Sequence, residues 1–342
     1  MKFLMGVSGG TAAPMGATIK YFINRTCPDD EVYLIPSMWK AMATNAPKPV
    51  LCQSSDVQMW DQIGGSPYCP SCKNVNIFDI NGIDMSSEVR DYCSGFDGVI
   101  AIGGGGTTMQ SFELSETVGM KFIVPIATMD NDLPCFDNTL GFSTAVDNMA
   151  NSICSASWDA YTMDRHCVIF SMGYHCGRVA ACATKLAVQR GALVDLLQIP
   201  EYSSSVKDVA EYVTKNNSKL IVVSEGCCVS QDVAKGVHQT YDTAGYVQSL
   251  KQLTGFEWKK IVADYRQRSG APVSADKRLA NDYAQRAYHL ASRGIWNQVI
   301  GSYNGKVIHL SLPEVANALT SSEPVDWFKT IDLSAINSIL LR

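Results

Sequence analysis

The chain has 342 residues, 46% of them apolar and 18% charged, with a formal net charge of −5. That is sequence enough for two domains of ordinary size or one large α/β unit, and it excludes disorder as the dominant state. With no basic block, neither a nucleic-acid partner nor an anionic membrane surface is expected, and no apolar stretch of about 18 residues is available to span a bilayer; a small sugar or nucleotide ligand stays open.

Taken in order, the chain repeats one unit: a short apolar run, a glycine-containing loop, then a stretch of helical period. The opening Met1–Val7 runs straight into Ser8-Gly9-Gly10; it is too short for a signal-peptide core and reads as a first buried strand. Gly98–Ile102 precedes Gly103–Gly106, and Lys121–Ile126 precedes Thr128. Cys167–Ser171 precedes Met172-Gly173, and Lys219–Ser224 precedes Glu225-Gly226. Helical spacing marks Ser204–Asn217 and Arg278–Ser292, while Asn45–Ser71 reads as an irregular insertion. Continuous apolar strands alternating with helices predict a doubly wound α/β fold with a parallel sheet, whose ligands gather in the loops at the strands' carboxyl ends. Twelve cysteines stand at no disulfide spacing, several inside apolar runs (Cys154, Cys167, Cys182). They read as reduced core thiols of a cytoplasmic protein.

Three loops carry candidate chemistry. Gly9-Gly10-Thr11 lets backbone N–H groups approach an anionic oxygen, or simply makes a tight strand-to-helix turn. Gly103-Gly104-Gly105-Gly106-Thr107-Thr108 spends so much backbone entropy that a polyphosphate lying against bare backbone explains it better than a structural turn. No Lys follows the last glycine, so it is not a P-loop. Thr128-Met129-Asp130-Asn131-Asp132 sets two carboxylates at i and i+2, a pattern that can divide general-base and metal duties, although such residues also cap helices. Arg165, Lys259, Lys260, Arg266 and Arg268 are loop or loop-flanking cations suited to a phosphate monoester, each alone more often a solvated charge and of value only in convergence with the loops above. Cys69-Pro70-Ser71-Cys72 has the spacing of half a zinc site or of a redox pair, but no second pair stands at a usual spacing; His166-Cys167 and His175-Cys176 could complete it, but core packing explains them as well, and neither zinc nor redox chemistry is expected.

In this order the segments resemble the phosphofructokinase family. Val7-Ser8-Gly9-Gly10 followed by Ala13-Pro14-Met15-Gly16 is similar to its first glycine loop, and Gly103-Gly104-Gly105-Gly106-Thr107 to its GGDGS/T donor loop. Thr128–Asp132 is similar to TIDND, Met172–Gly177 to MGRxxG, Glu225-Gly226 to AEG, and Gln267–Pro272 to QRGGxP. The resemblance implies two Rossmann-like domains with the active site between them. The donor-binding domain would be 1–141 plus about 267–317, and the sugar-phosphate domain about 142–266 plus 318–342. It implies ATP or pyrophosphate as donor, Mg²⁺ as cofactor, and a homo-oligomer, dimer or tetramer, whose active site is completed across subunits.

Residue by residue, the resemblance makes Asp130 the general base, with Thr128 and Asp132 beside it and Asp132 a metal ligand. Arg165, Met172, Gly173, Glu225 and Arg268 fall on sugar-phosphate positions, Arg165 as a cation reaching in from a neighbouring subunit. Lys259 stands where the family has a 6-phosphate-binding Arg. Gly9, Gly10, Gly103, Gly104, Gly105, Gly106, Thr107 and the aromatic Trp39 fall on donor positions. Several site positions depart from the pattern: Gly105 replaces an Asp that helps hold Mg²⁺, Tyr174 the MGR arginine, Tyr265 a phosphate-binding His, and Cys72 an Arg. Gly106 and Ala127 are small and neutral, as in ATP users, whereas Gln110 is bulkier than the glycine that ATP users carry. The reading is a sugar-phosphate kinase of glycolytic type using fructose 6-phosphate. The alternatives are a catalytically impaired regulatory or ligand-sensing subunit, and a kinase for another acceptor.

Overall fold

The computed structural model describes residues 1–72, 75–202, 204–228 and 242–321, with 334, 336, 339 and 340. The elements run β1 (Lys2–Val7), α1 (Met15–Ile23), β2 (Glu31–Leu34), α2 (Met38–Thr44), β3 (Val50–Cys52), α3 (Ser86–Tyr92), β4 (Gly98–Ile102), α4 (Gly105–Val118) and β5 (Phe122–Pro125). Next come β6 (Ala127–Thr128), β7 (Leu140–Gly141), α5 (Phe142–Thr162), β8 (His166–Ser171), α6 (Arg178–Gln189), β9 (Leu196–Gln198), α7 (Val206–Asn216) and β10 (Leu220–Ser224). The last are α8 (Thr243–Thr254), β11 (Trp258–Val262), α9 (Arg266–Ser269), α10 (Ser274–Ser292), β12 (Gln298–Tyr303), β13 (Lys306–Ser311) and α11 (Leu312–Thr320). Two compact units result: Met1–Thr144 with Arg268–Val325, and Ala145–Gln267 with Asp326–Arg342.

The first unit is built on a seven-stranded sheet in the order β13-β12-β5-β4-β1-β2-β3. Its strands are almost wholly apolar because successive side chains enter opposite covered faces. Phe3, Met5, Ile100, Ile102, Ile123 and Ile300 face α1 and α10, meeting Ile19, Phe22, Tyr283 and Leu290. Leu4, Val99, Ala101, Phe122, Val124 and Val299 enter the other layer, with Met38, Met42, Val89, Leu114 and Val315 from α2, α3, α4 and α11. The five central strands are parallel, as the apolar runs predict, but both edges are antiparallel, β3 on β2 and β13 on β12. The second reversal has a local cause. Asn304 and Gly305 both take positive φ (51° and 71°) between paired Tyr303 and Lys306, a two-residue hairpin turn of primed type. The Asn45–Ser71 stretch is mostly turns, apart from β3, and still buries Val57, Trp60 and Cys69.

The second unit carries a four-stranded, wholly parallel sheet in the order β11-β8-β10-β9. Val168, Phe170, Ile221 and Val223 pack under α7 and α8 through Val209, Val213, Tyr246 and Leu250. Helix α7 starts where its sequence says it should. Ser205 and Asp208 form a reciprocal capping box, so two otherwise unpaired donors are satisfied.

Candidate active site

In the first unit three loops meet at the carboxyl ends of β1, β4 and β5. The Ser8 N–H donates to Ile102 O at 2.9 Å and the Ala127 N–H to Gly103 O at 2.8 Å, which stitches the three strand ends side by side. A methyl group on Gly103 would stand 2.1 Å from Thr107 Oγ1 and 2.6 Å from Ser8 O, so this glycine is demanded by packing alone. Gly106 has open space in its side-chain direction, and no internal contact explains it.

The glycine run is not all loop: α4 begins at Gly105, with Gly104 as an N-cap that supplies no side-chain acceptor. The first-turn N–H groups of Gly105, Gly106 and Thr107 are therefore the helix's orphan donors, at the end where the macrodipole favours an anion. Thr107 is 2% exposed and its Oγ1 has no hydrogen-bond partner. It would lie 3.9 Å from a Cβ on Gly9, whose φ of +86° itself requires glycine. A buried hydroxyl without a partner between two glycine turns suits a phosphate oxygen.

The Thr128–Asp132 segment follows directly. Its conformation is fixed by Thr139 Oγ1 donating to Thr128 O at 2.6 Å, by the Asp130 N–H on Thr128 Oγ1 at 3.3 Å, and by Asn131 Nδ2 on Asp137 O at 2.9 Å. Asn131 sits at φ 54°, a left-handed conformation that Asn tolerates and that turns the chain back between the two carboxylates. Asp130 is partly buried with Arg268 Nη2 at 4.0 Å, and Arg268 Nη1 also lies 3.5 Å from where a Gly10 Cβ would be. Gly9, Gly10, Gly103, Gly104, Thr107, Thr128, Asp130 and Arg268 thus converge. Asp132 is exposed on the same loop.

In the second unit the loop after β8 is ordered by Glu225, whose Oε1 accepts the N–H groups of Gly173 at 3.0 Å and Tyr174 at 2.8 Å. A Cβ at Gly173 would meet Cys176 O at 2.6 Å, so that turn closes only over glycine. Met172, Gly173 and Glu225 therefore form one constellation. Lys259 is exposed on the edge strand β11, one pairing position from Lys260. Arg165, just before β8, has Asp159 Oδ2 3.6 Å from its Nε, and Arg266 is paired with Asp264 at 2.7 Å.

Burial bears on three of the sequence readings, and corrects the first. Trp39 is 1% exposed and packs edge-on to Phe122 in the core, so no flat face is offered to a nucleotide. The outward face of α2 is instead carried by Lys40 and Thr44, which with Ser37, Ser71, Cys72 and Asn76 line a concavity of about 620 Å³. That concavity adjoins the first glycine turn, since the Gly9 N–H donates to Cys72 O at 2.9 Å. Gln110 borders it too, its amide donating to Val75 O at 3.2 Å. Second, Gly105 is not an open loop position. A Cβ there would stand 3.1 Å from Leu133 Cδ2 and 3.4 Å from Leu319 Cδ2. Third, the cysteine pair has other work: Cys69 donates to Ile35 O at 3.6 Å and burial pushes its thiol up to about 12. His166 stacks on Phe256 with its Nδ1 2.7 Å from Ser218 O. Among the described residues no three His, Cys, Asp or Glu side chains gather as a metal cage.

One buried group escaped the sequence reading. Asp276, wholly buried on α10, accepts the N–H groups of Gly141 (3.2 Å) and Thr144 (2.8 Å) and the Thr144 hydroxyl (2.5 Å). It caps the first turn of α5, where the chain passes from one unit to the other. In sequence it is one more acid in the first turn of a polar helix, with nothing to mark it as buried.

The comparisons with known proteins bear on this arrangement. A family model described as Phosphofructokinase matches residues 2–291. The ATP-dependent 6-phosphofructokinase of Bacillus mycoides is 26% identical over 330 residues, 93% of this chain and 94% of its own length. That of Halothermothrix orenii is 28% identical over 238 residues, 68% of this chain and 69% of its own. Among solved structures, a pyrophosphate-dependent phosphofructokinase from Marinobacter aquaeolei superposes with a TM-score of 0.76 at 22% identity, covering 92% of this chain and 84% of that one. Pichia pastoris phosphofructokinase in the T-state gives 0.76 at 17% identity over 99% of this chain, which spans only 40% of that one. A family match that runs over residues 2–291, most of the chain, is decisive: the chain belongs to the phosphofructokinase family.

Proposed function

We propose that the protein is a sugar-phosphate kinase that moves a phosphoryl group to a fructose 6-phosphate-type acceptor. The observation that carries this reading is the convergence of Asp130, Arg268, the two glycine turns and the buried Thr107 hydroxyl in one unit. Asp130 takes the proton of the attacking hydroxyl, and Thr128 fixes its backbone. Arg268, with Lys259 from the second unit and Arg165 of the partner subunit, grips the acceptor's phosphate by charge-assisted hydrogen bonds. Glu225 holds the Met172-Gly173 turn against the sugar. The N–H groups of Gly105, Gly106 and Thr107, with Gly9 and Gly10, receive the donor phosphates. The first unit is thus the donor-binding one and the second the sugar-phosphate one.

Mg²⁺ binding fits the residues present. Asp130 and Asp132 lie in one short loop, with no cluster of three His, Cys, Asp or Glu among the described residues, and Mg²⁺ usually takes one or two carboxylates plus substrate phosphate oxygens. Asp132 would hold it, and the ion would neutralise charge on the transferred group. The concavity lined by Lys40, Thr44 and Cys72 has room for a nucleoside beside the donor turn, which favours ATP over pyrophosphate. We place the protein in the cytoplasm as a homo-oligomer, with Arg165 serving a neighbouring subunit.

One observation favours a second reading, an impaired member that binds ligand without turning it over: Leu133 and Leu319 occupy the side-chain direction of position 105. Phosphorus-31 NMR of the purified protein with fructose 6-phosphate, Mg²⁺ and either ATP or pyrophosphate decides between them. Fructose 1,6-bisphosphate formation supports the kinase and names the donor. No product despite saturable acceptor binding supports the second reading.

A further inference from the structure

Away from the loops that carry the proposed chemistry, helix α10 and the edge strand β13 enclose a concavity of about 480 Å³ lined by Asp282, Gln285, Arg286, His289, Lys306 and Val307. This volume lies within the roughly 300–1,000 Å³ typical of small-molecule sites. Arg286 forms the floor. Its Nη2 lies 3.5 Å from Val307 O, and its Nη1 donates to His309 Nδ1 at 3.2 Å. Because a guanidinium can only donate, that imidazole must accept at Nδ1 and carries its proton on Nε2 when neutral. Burial above all, and then the charges of Arg286 and His289 beside it, lowers the His309 pKa. Among the described residues neither Arg286 nor Lys306 has an ion-pair partner, and the one carboxylate on the wall, Asp282, accepts from Asn281 Nδ2.

We propose that this α10–β13 concavity is a second anion site, distinct from the loops at the strand ends, that takes the phosphate group of a small phosphate monoester. Arg286 supplies a planar donor fork held in place from behind, and Lys306 and His289 approach from the two walls. The space left over once a phosphate is seated, together with Gln285 and Asp282 as hydrogen-bonding groups, suits an ester carrying hydroxyls rather than the free ion.

The chain contains only five histidines, so histidine-selective ¹³C labelling of the full-length protein gives a readable spectrum. The signals of His289 and His309 are assigned with His289→Gln and His309→Gln. Inorganic phosphate and glycerol 3-phosphate are titrated separately at constant ionic strength. The expected result is a saturable shift of both signals with glycerol 3-phosphate, at lower concentration than with inorganic phosphate, and at least ten-fold weaker binding in Arg286→Ala. Should that variant not fold, Lys306→Ala is judged by the same ten-fold criterion. A linear, unsaturated shift, tighter binding of the free ion, or a variant that titrates within ten-fold of the unaltered protein overturns the proposal.

Discussion

Asp130 and Arg268 stand 4.0 Å apart beside the glycine turns, and their chemistry separates cleanly by substitution. Asp130→Asn keeps the shape and the hydrogen-bonding capacity while removing the base. Turnover is expected to fall by about 10²–10⁴-fold, the usual contribution of a positioned general base, with the thermal midpoint nearly unchanged. Steady-state kinetics beside a melting curve reads both, and an undiminished kcat rules Asp130 out as the base. Positions 105 and 106 give an opposite pair. Asp at 105 forces Leu133 and Leu319 aside and is expected to cost roughly 1–3 kcal/mol, as overpacking does. Asp at 106 enters open space in the first turn of α4 and gains roughly 0.3–1 kcal/mol from the helix dipole. Urea unfolding of the two variants measures the contrast, and equal effects would mean that the two leucines do not restrain position 105. The same packing makes Gly105→Asp a strained way to put the family's donor-loop carboxylate into this chain.

At the scale of elements, α5 depends on a carboxylate far away in sequence. Asp276→Ala leaves the N–H groups of Gly141 and Thr144 buried without an acceptor, at an expected cost of about 2–5 kcal/mol. Asp276→Asn gives the pH dependence. Burial raises the Asp276 pKa above its ordinary 3.8, against the hydrogen bonds from Thr144 and Gly141 that lower it. The folded state therefore binds this proton more tightly than the unfolded chain, so the contribution is fully present below the unfolded pKa and is lost as pH rises through the folded one. Relative to Asp276→Asn, the unaltered protein should gain stability as pH falls from 7 toward 4. Urea midpoints across that range test it, and a parallel pair of curves would contradict it. The elements themselves were readable to different depths. Strands β1, β4, β8 and β10 stand within a residue or two of their apolar runs, because a strand covered on both faces has no polar alternation to blur it. The antiparallel edge escaped because its cause is two residues, Asn304 and Gly305, and a hairpin turn counts only once the flanking strands are known. The helical start at Gly105 escaped because four glycines argue for a loop, while the cap that starts α4 is itself a glycine.

On the scale of the whole molecule, the motifs point to loops but do not say which side chains in them are available. Trp39 and Lys40 are neighbours in sequence, yet one is core and the other lines a concavity, since a step along a helix turns the side chain by about 100°. Residue type points to the aromatic; only packing tells that the lysine is the one facing out. The candidate set also divides between two units, Asp130 and Arg268 in one, Glu225, Arg165 and Lys259 in the other. If the acceptor draws on both, its binding energy must be sensitive to a cation from each. Fructose 6-phosphate at 100 times its Kd should stabilise the protein by about 2.7 kcal/mol through linkage and raise its melting temperature accordingly. Arg268→Ala and Lys259→Ala should each demand at least ten times more ligand for the same rise, since each loses a charge-assisted contact of roughly 1.5–3 kcal/mol. Loss in Arg268→Ala with none in Lys259→Ala would remove Lys259 from the site. Loss in neither would remove both cations from the acceptor site and turn the search for its phosphate contacts to the glycine turns.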